Sequence, residues 1–191
     1  SGAIGPLKSL SAQQDTNVSH AAIAALGLIG GADGTAALKE LAGQPRHPAR
    51  VRIAAALFQS GDQTSGDAFK AFLSDESTEV RREAVAALAS LKGLQTKALY
   101  LKAIRDEDLE VRNLARKALQ GSKDAKVRMA LEEAVAKDVK DLVPQLANRS
   151  TAQAASKQLQ SLGPAAAPLL MKHMGEAKSL SEQFTLARVI A

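Results

Sequence analysis

The sequence predicts an all-α protein built as a stack of similar helical units, and three observations support this. A Val-Arg pair recurs at Val51, Val80 and Val111, each followed four residues after the Val by an alanine, at offsets of 29 and 31 residues. A near-constant period of this kind indicates repeated supersecondary units. Ala and Leu dominate the apolar residues, aromatics are 3% and Trp is absent, which favours closely packed helices. Runs of β-branched residues long enough for strands are missing.

Anchoring the repeat on its central alanine extends it to six copies. Val80, Ala84 and Leu88 in the strongest copy are spaced at i, i+4 and i+8, so they share one helix face and predict a buried stripe. The small central residue is expected where a neighbouring helix comes closest. The six alanines are Ala22, Ala55, Ala84, Ala115, Ala155 and Ala187.

Start and stop signals recur in the same register. Seven residues before the first five alanines stand residues that, apart from the proline, are preferred at helix N-caps: Asp15, Pro48, Ser77, Asp108 and Asn148. Glycines, which favour the left-handed conformation at helix C-termini, close the same segments: Gly30, Gly61, Gly93, Gly121 and Gly163. These signals predict one long helix per unit.

Shorter apolar segments between these helices predict a partner helix in each unit, over residues 3–10, 35–41, 65–73, 94–104, 139–146 and 165–174. The gap of 40 residues between Ala115 and Ala155 holds a further amphipathic stretch, so an inserted or elongated helix is expected near 123–137. We therefore expect a single array over residues 1–191. Its units are approximately 1–31, 32–62, 63–93, 94–122, 123–163 with the inserted helix, and 164–191, the last truncated.

Composition narrows the function classes. With no cysteine, disulfides and thiolate metal sites are excluded. No apolar run is long enough to span a bilayer, and the first residues lack the features of a signal peptide, so the compartment stays open. The net charge of +5 comes from interspersed positive and negative side chains, which are more typical of solvated helix faces than of a nucleic-acid footprint.

Several stretches resemble the HEAT-repeat family. The sequence DESTEVRREAVAAL at residues 75–88 resembles the second helix of a HEAT repeat, and residues 106–119 give the same pattern. The sequence GPAAAPLL at residues 163–170 is similar to a first helix of bacterial, phycobilisome-lyase-type HEAT arrays. This resemblance implies an α-solenoid, a right-handed α-α superhelix of about six helix pairs, used mainly to bind proteins. Ser19 and Ala152 depart from it where arginine is expected, and Arg46 replaces a loop aspartate.

The arginines of the repeat have two interpretations. Arg52, Arg81 and Arg112 recur once per unit beside the buried stripe, so they either form a basic strip on a binding surface or brace successive units. The brace is favoured, with partners such as Asp75, Glu79, Asp106 or Glu110. Residues on the outward side of the same helices are candidates for contact with a partner: Arg82, Asn113, Arg116 and Lys117.

No catalytic, metal or cofactor site is predicted. His20, His47 and His173 fall in separate units without a second ligand at helical spacing, so they are expected at the surface or at its boundary. No nucleophile sits in a recognisable turn. The glycine-rich segment at residues 30–34 follows a helix rather than a strand and is interpreted as a turn between helices. Met171 and Met174 have the spacing of core residues.

The leading functional hypothesis is a non-enzymatic scaffold or adaptor that binds another protein or a peptide along its helical surface. Two alternatives remain: a nucleic-acid-binding HEAT-like protein, disfavoured by the scarcity of aromatics, and a HEAT-like chromophore lyase, which rests on resemblance alone. Because the last segment ends in mid-stripe at Leu186, Val189 and Ile190, we expect a piece of a larger protein. A monomer or a contact through the open C-terminal repeat would both fit.

Overall fold

Twelve α-helices make up most of the part of the chain that the structure describes. The structure is a computed structural model, and it describes residues 2–44, 46–91, 96–148, 150–177 and 180–190. No strand occurs within these ranges, so the all-α prediction is confirmed. The helices are α1 (Ile4–Ser11), α2 (Thr16–Ile29), α3 (Gly31–Ala42), α4 (Arg50–Gln59), α5 (Ala68–Phe72), α6 (Thr78–Leu88), α7 (Thr96–Ala103), α8 (Leu109–Leu119), α9 (Ala125–Leu142), α10 (Ala152–Ser161), α11 (Ala167–Glu176) and α12 (Leu180–Ile190).

The chain forms two compact units, residues 1–118 and residues 119–191. The first contains α1 to α7 and almost all of α8, as four helix pairs, and the second helix is the longer one in every pair except α3 and α4. The second contains α9 to α12, as two further pairs. Each unit is described by itself. The arrangement of all six pairs as one array stays a prediction.

The core of the first unit follows a constant period of 31 residues. The second helices α2, α4, α6 and α8 bury equivalent side chains at the centre of each stripe and again one turn later, all at most 5% exposed. The predicted alanine register is therefore wrong in the second repeat, where Ile53 of α4 rather than Ala55 stands at the centre of the stripe. The equivalent residues are Ala22, Ile53, Ala84 and Ala115, followed by Leu26, Leu57 and Leu88.

The predicted helix ends are confirmed in part. Asp15 caps α2 by accepting hydrogen bonds from the amides of Asn17 and Val18. Asp108 likewise accepts from the amide of Val111. Ser77 is the N-cap of α6, but its hydroxyl donates to Glu79 instead of capping the backbone. Pro48 and Asn148 are not caps, because α4 and α10 begin only after Ala49 and Thr151. The glycines that end the second helices have positive φ as expected: Gly30, Gly61, Gly121 and Gly163. Gly93 lies outside the described residues.

A close approach fixes α3 against α2. The segment at residues 30–34 is not a turn alone, because α3 already begins at Gly31. Gly30, at φ 58°, provides the reversal. A Cβ on Gly34 would lie 2.5 Å from the backbone oxygen of Leu26, so a glycine is needed where the two helices meet. This contact brings Leu38 and Leu41 of α3 onto the core of α2 and α4.

The second unit begins with the longest helix. The stretch expected near 123–137 is an elongated first helix, α9, rather than an additional one, and it absorbs part of the segment predicted at 139–146. Asp124 caps it by accepting from the amide of Lys126. Val127, Val135 and Val139 are among its buried residues, and a 3-10 segment over Val143–Ala147 follows.

The final helix pair departs from the predicted register. In α12, Leu186 and Val189 are buried, whereas Ala187 is exposed, so the sixth alanine of the series lies on the wrong helix face. Met171 is 51% exposed and not a core residue, and Phe184 is 70% exposed. Among the helices of the described ranges, none is both long and apolar enough to cross a membrane.

Candidate partner-binding surface

Two arginines with little solvent exposure, Arg81 and the buried Arg112, hold the turns of the first unit together. The guanidinium of Arg81 on α6 makes a two-point ion pair with Asp106, Nε to Oδ2 at 2.8 Å and Nη2 to Oδ1 at 3.0 Å. Its Nη1 donates to the backbone oxygens of Asp75 and Glu76 at 2.9 and 3.3 Å. Arg112 on α8 repeats this second role by donating to the oxygens of Asp106 and Glu107. Arg81 thus links the turn of its own repeat to that of the next.

The equivalent residue in the second repeat is Arg50, not Arg52. Arg50 Nη2 lies 2.6 Å from Asp75 Oδ2, across the same 25 residues of sequence that separate Arg81 from Asp106. Arg52 projects from the other side of α4 and pairs with Glu83 at 3.0 Å. The prediction that arginines brace successive repeats is therefore correct for Arg81, and also for Arg52, whose partner Glu83 lies in the next repeat but on helix α6 rather than in a loop. In the 31-residue register, the residue equivalent to the turn aspartates Asp75 and Asp106 is Gln44, not Arg46.

The four residues proposed for partner contact lie on α6 and α8. The side chain of Arg82 is 43% exposed, and its Nε and Nη2 donate to the two carboxylate oxygens of Asp108 at 2.9 and 2.7 Å. This hydrogen bonding holds the pKa of Asp108 below its ordinary value and raises that of Arg82. Asn113 accepts a hydrogen bond from Arg116, and Lys117 is exposed. Arg82 is thus fixed in orientation, and the other three share the outer side of α8.

Side chains from three second helices meet on one face of the first unit. Glu83 Oε1 on α6 lies 3.0 Å from Arg52 Nε on α4 and 3.2 Å from His20 Nε2 on α2. Helix α4 packs between α2 and α6. Direct contact between side chains of α2 and α6 requires the second helices to converge on this face. Within residues 1–118, the second-helix face is therefore concave.

Small side chains form the floor of this concave face. Ala24, Ala55 and Ala86 occupy equivalent positions at 31-residue intervals on α2, α4 and α6, and Lys117 follows on α8. Ala24 and Ala86 are exposed, whereas Ala55 is 7% exposed. Alanine leaves little side chain between the helix backbone and any group that contacts it. Leu28, 88% exposed, lies one turn beyond Ala24 on α2.

The polar side chains described on this surface make ion pairs and hydrogen bonds with one another. In the described ranges, no three His, Asp or Glu side chains come together as a metal site would require. His47 is the exception among the histidines, since it is 3% exposed rather than at the surface. Its Nδ1 accepts from the amide of Ala49 at 3.1 Å, and its Nε2 lies 3.4 Å from Ser11 Oγ. Burial lowers its pKa.

Sequence reasoning missed Arg50, His20 and Glu83. One signal could have found Arg50: the interval of 25 residues to an aspartate occurs twice, at Arg50–Asp75 and Arg81–Asp106. No local pattern points to the contact between His20 and Glu83, because it joins helices that are two repeats apart.

These features define the class of protein: stacked pairs of helices, repeated at a constant period, with arginine–aspartate braces at the turns and a concave second-helix face. Comparison with protein families matches residues 66–152 to the HEAT repeats. Comparison with curated protein sequences gives no significant match. Residues 66–152 therefore belong to the HEAT-repeat family, as the sequence resemblance indicates, and they carry the Arg81 and Arg82 ion pairs. HEAT repeats are generally scaffolds for protein interactions and are typically non-enzymatic.

Proposed function

We propose that this chain is a non-enzymatic scaffold that binds another protein along the second-helix face of residues 1–118. The observation that carries the proposal is the division of labour among the arginines. Arg50, Arg81 and Arg82 are each held by a turn carboxylate, but the side chains of Arg50 and Arg81 are 29% and 14% exposed, whereas that of Arg82 is 43% exposed. Arg82, Arg116 and Lys117 stand on the outer side of the second helices. The alanine floor allows a partner to approach closely, and the charged side chains around it give specificity.

The same division argues against nucleic acid as the partner. A nucleic-acid footprint needs cations that can replace counterions on the phosphates. Here Arg50, Arg81 and Arg82 are each in an ion pair with an aspartate. A duplex titration at increasing salt tests this alternative directly: we expect weak binding with a shallow salt slope, and tight binding with a steep slope would favour nucleic acid.

Selection of binding peptides from a random library displayed on phage tests the proposed surface. Charge reversal of Arg116 and Lys117 to Glu should weaken the selected binders by about tenfold or more. The matched control reverses Lys70 and Lys97, exposed cations on the first helices α5 and α7, and should change affinity less than about twofold. Equal losses in both variants, or a loss only in the control, would contradict the proposed face.

A further inference from the structure

A cleft of about 400 Å³ opens on the first-helix side of residues 1–118, between α3 and α5 and above α4. Its apolar part is formed by Ala54 and Leu57 of α4 with Phe72 of α5. Its charged part is formed by Lys39 of α3, Arg50 of α4 and Asp62. The volume lies at the lower end of the range of about 300–1,000 Å³ typical of ligand sites, so it suits one or two side chains rather than a large cofactor.

The cleft exists because two elements of the repeat are reduced here. The register that aligns Arg50 with Arg81 places Ala54 where the next repeat has Val85, which is buried. The first helix of the third repeat is also shortened, because a 3-10 segment over Gln63–Asp67 precedes a five-residue α5. A smaller floor residue and a shorter wall leave space between the second and third repeats.

The hydrogen bonds around the cleft leave it richer in donors than in acceptors. Asp62 Oδ1 already accepts from the amide of Thr64 at 3.1 Å and from its hydroxyl, and Oδ2 lies 3.4 Å from Lys39 Nζ. The hydrogen bond from the Thr64 hydroxyl is the main factor that lowers the pKa of Asp62, so this carboxylate is ionised. Its oxygens already accept hydrogen bonds from the protein. Arg50 uses Nη2 on Asp75, and its Nε and Nη1 donate to no residue in the described ranges.

We propose that this cleft binds a peptide segment of a partner protein in which a leucine-sized apolar side chain stands next to a carboxylate. The apolar side chain would contact Ala54, Leu57 and Phe72. The carboxylate would pair with Arg50 and Lys39, whose side chain is 60% exposed. Both neighbouring carboxylates, Asp62 and Asp75, already accept hydrogen bonds, so the remaining donors of Arg50 and Lys39 favour a carboxylate over a cationic group. This site lies on the first-helix side, so it would add a second point of contact to the second-helix face.

Amide chemical shifts measured during titration of the ¹⁵N-labelled full chain test the site. The probe is a synthetic capped peptide containing Leu-Glu, compared with the same peptide containing Leu-Gln. We expect saturable shifts at Ala54, Leu57 and Phe72 for the Leu-Glu peptide, and binding weaker by about fivefold or more for the Leu-Gln peptide. No saturable shift up to about 10 mM, or equal affinity for the two peptides, would overturn the proposal.

Two variants and a small-molecule arm complete the experiment. Ala54→Val fills the cleft with the residue that the next repeat tolerates, and it should weaken the Leu-Glu peptide by about tenfold. Ala98→Val, at an exposed position of α7 outside the cleft, is the matched control and should leave affinity unchanged. Lys39→Met, at an exposed position, should reproduce the loss caused by the Leu-Gln peptide. Unchanged binding in Ala54→Val would overturn the site, and hexanoate binding as tightly as the peptide would replace the peptide assignment with a small-carboxylate one.

Discussion

The junction between the third and fourth repeats and the junction between the first and second are built from different chemistry. At the junction between the third and fourth repeats, Arg81 is paired with Asp106 and donates to two backbone oxygens. At the junction between the first and second repeats, Ser19 occupies the equivalent position, and its hydroxyl donates to the backbone oxygen of Ser11. Ser11 Oγ in turn lies within 3.4 Å of His47 Nε2. A charged brace is thus replaced by a cluster of neutral side chains.

The comparison teaches that the repeat needs a satisfied polar group at this position more than it needs an arginine. Ser11, Ser19 and His47 are all buried, and every buried side-chain nitrogen or oxygen in the described ranges has a hydrogen-bond partner. The two solutions differ in what disturbs them. A charge-assisted pair is strong but leaves an uncompensated charge when one partner is lost. The neutral cluster depends instead on His47 staying unprotonated.

Loss of the charged brace should have the largest effect. Arg81→Ala leaves Asp106, whose side chain is 9% exposed, without its main cation, and it frees two turn carbonyls. We expect the free energy of unfolding to fall by about 3–5 kcal/mol in urea titrations. Lys70→Ala removes an exposed cation that pairs with Asp67, so it is the control and should lose less than about 1 kcal/mol. Equal effects would show that the brace is dispensable.

Added side-chain volume where α3 packs on α2, between the first and second repeats, should have the next largest effect on stability. Gly34→Ala places a Cβ 2.5 Å from the Leu26 backbone oxygen, so α3 must move away from α2. We expect a loss of about 1–3 kcal/mol in the free energy of unfolding. Gly5→Ala in α1, where nothing lies within 4 Å of the new Cβ, should instead be neutral or stabilising by up to about 1 kcal/mol. A stable Gly34→Ala protein would contradict the packing of α3 on α2.

Mild acid should separate the two junctions. Burial lowers the pKa of His47 in the folded protein below its unfolded value of about 6.5, so the unfolded chain binds the extra proton first. Stability from the neutral ring is complete above that unfolded value and is lost as the pH falls below it. Protonation would also remove Nδ1 as the acceptor for the Ala49 amide.

The measurement is the difference in unfolding free energy between the wild type and His47→Gln across pH 7.5 to 5. His47→Gln should cost about 1 kcal/mol at neutral pH, because it weakens the hydrogen bonds of the ring. The difference should shrink as the pH falls, since only the wild type then pays the protonation penalty. His173→Gln gives the background for a histidine outside the cluster. A difference that stays constant with pH would contradict the neutral-ring account.

The smallest effect is expected at Arg82. This arginine pairs with Asp108 as Arg81 does with Asp106, but its side chain is 43% exposed, so solvent screens the pair. Arg82→Ala should therefore lower the free energy of unfolding by less than about 1 kcal/mol. A loss as large as that of Arg81→Ala would make Arg82 a brace and remove it from the proposed partner-binding face.

The repeat could be predicted from the sequence where a helix has one buried face. In α6 the buried residues Ala84, Val85, Ala87 and Leu88 lie on one side of the helix, so they fix the phase of the stripe. In α4 every residue from Ile53 to Phe58 is buried, so apolar spacing gives no phase. The Val51-Arg52 pair matches the Val-Arg pattern by coincidence. Aligning on it moves the register of α4 by two residues, so Arg52 rather than Arg50 is matched to Arg81.

The candidate surface could be predicted only as far as helix faces allow. The exposed positions of Arg82 and Lys117 follow from helical spacing. The burial of His47 does not follow from helical spacing, because His47 precedes α4, which begins only at Arg50. The ring instead accepts a hydrogen bond from the amide of Ala49 in the segment before the helix. The concavity of the second-helix face likewise depends on how α2, α4 and α6 pack, which no single repeat encodes.

A pair of double-mutant cycles tests the central claim most directly, namely that Arg81 braces the repeats while Arg82 belongs to the surface. One cycle combines Arg81→Met with Asp106→Asn, which keeps an acceptor for the Asp108 amide. The other combines Arg82→Met with Asp108→Asn, and both are measured by urea unfolding. The account predicts a coupling above about 1.5 kcal/mol for the first pair and below about 1 kcal/mol for the second. Equal couplings, or the reverse order, would contradict it.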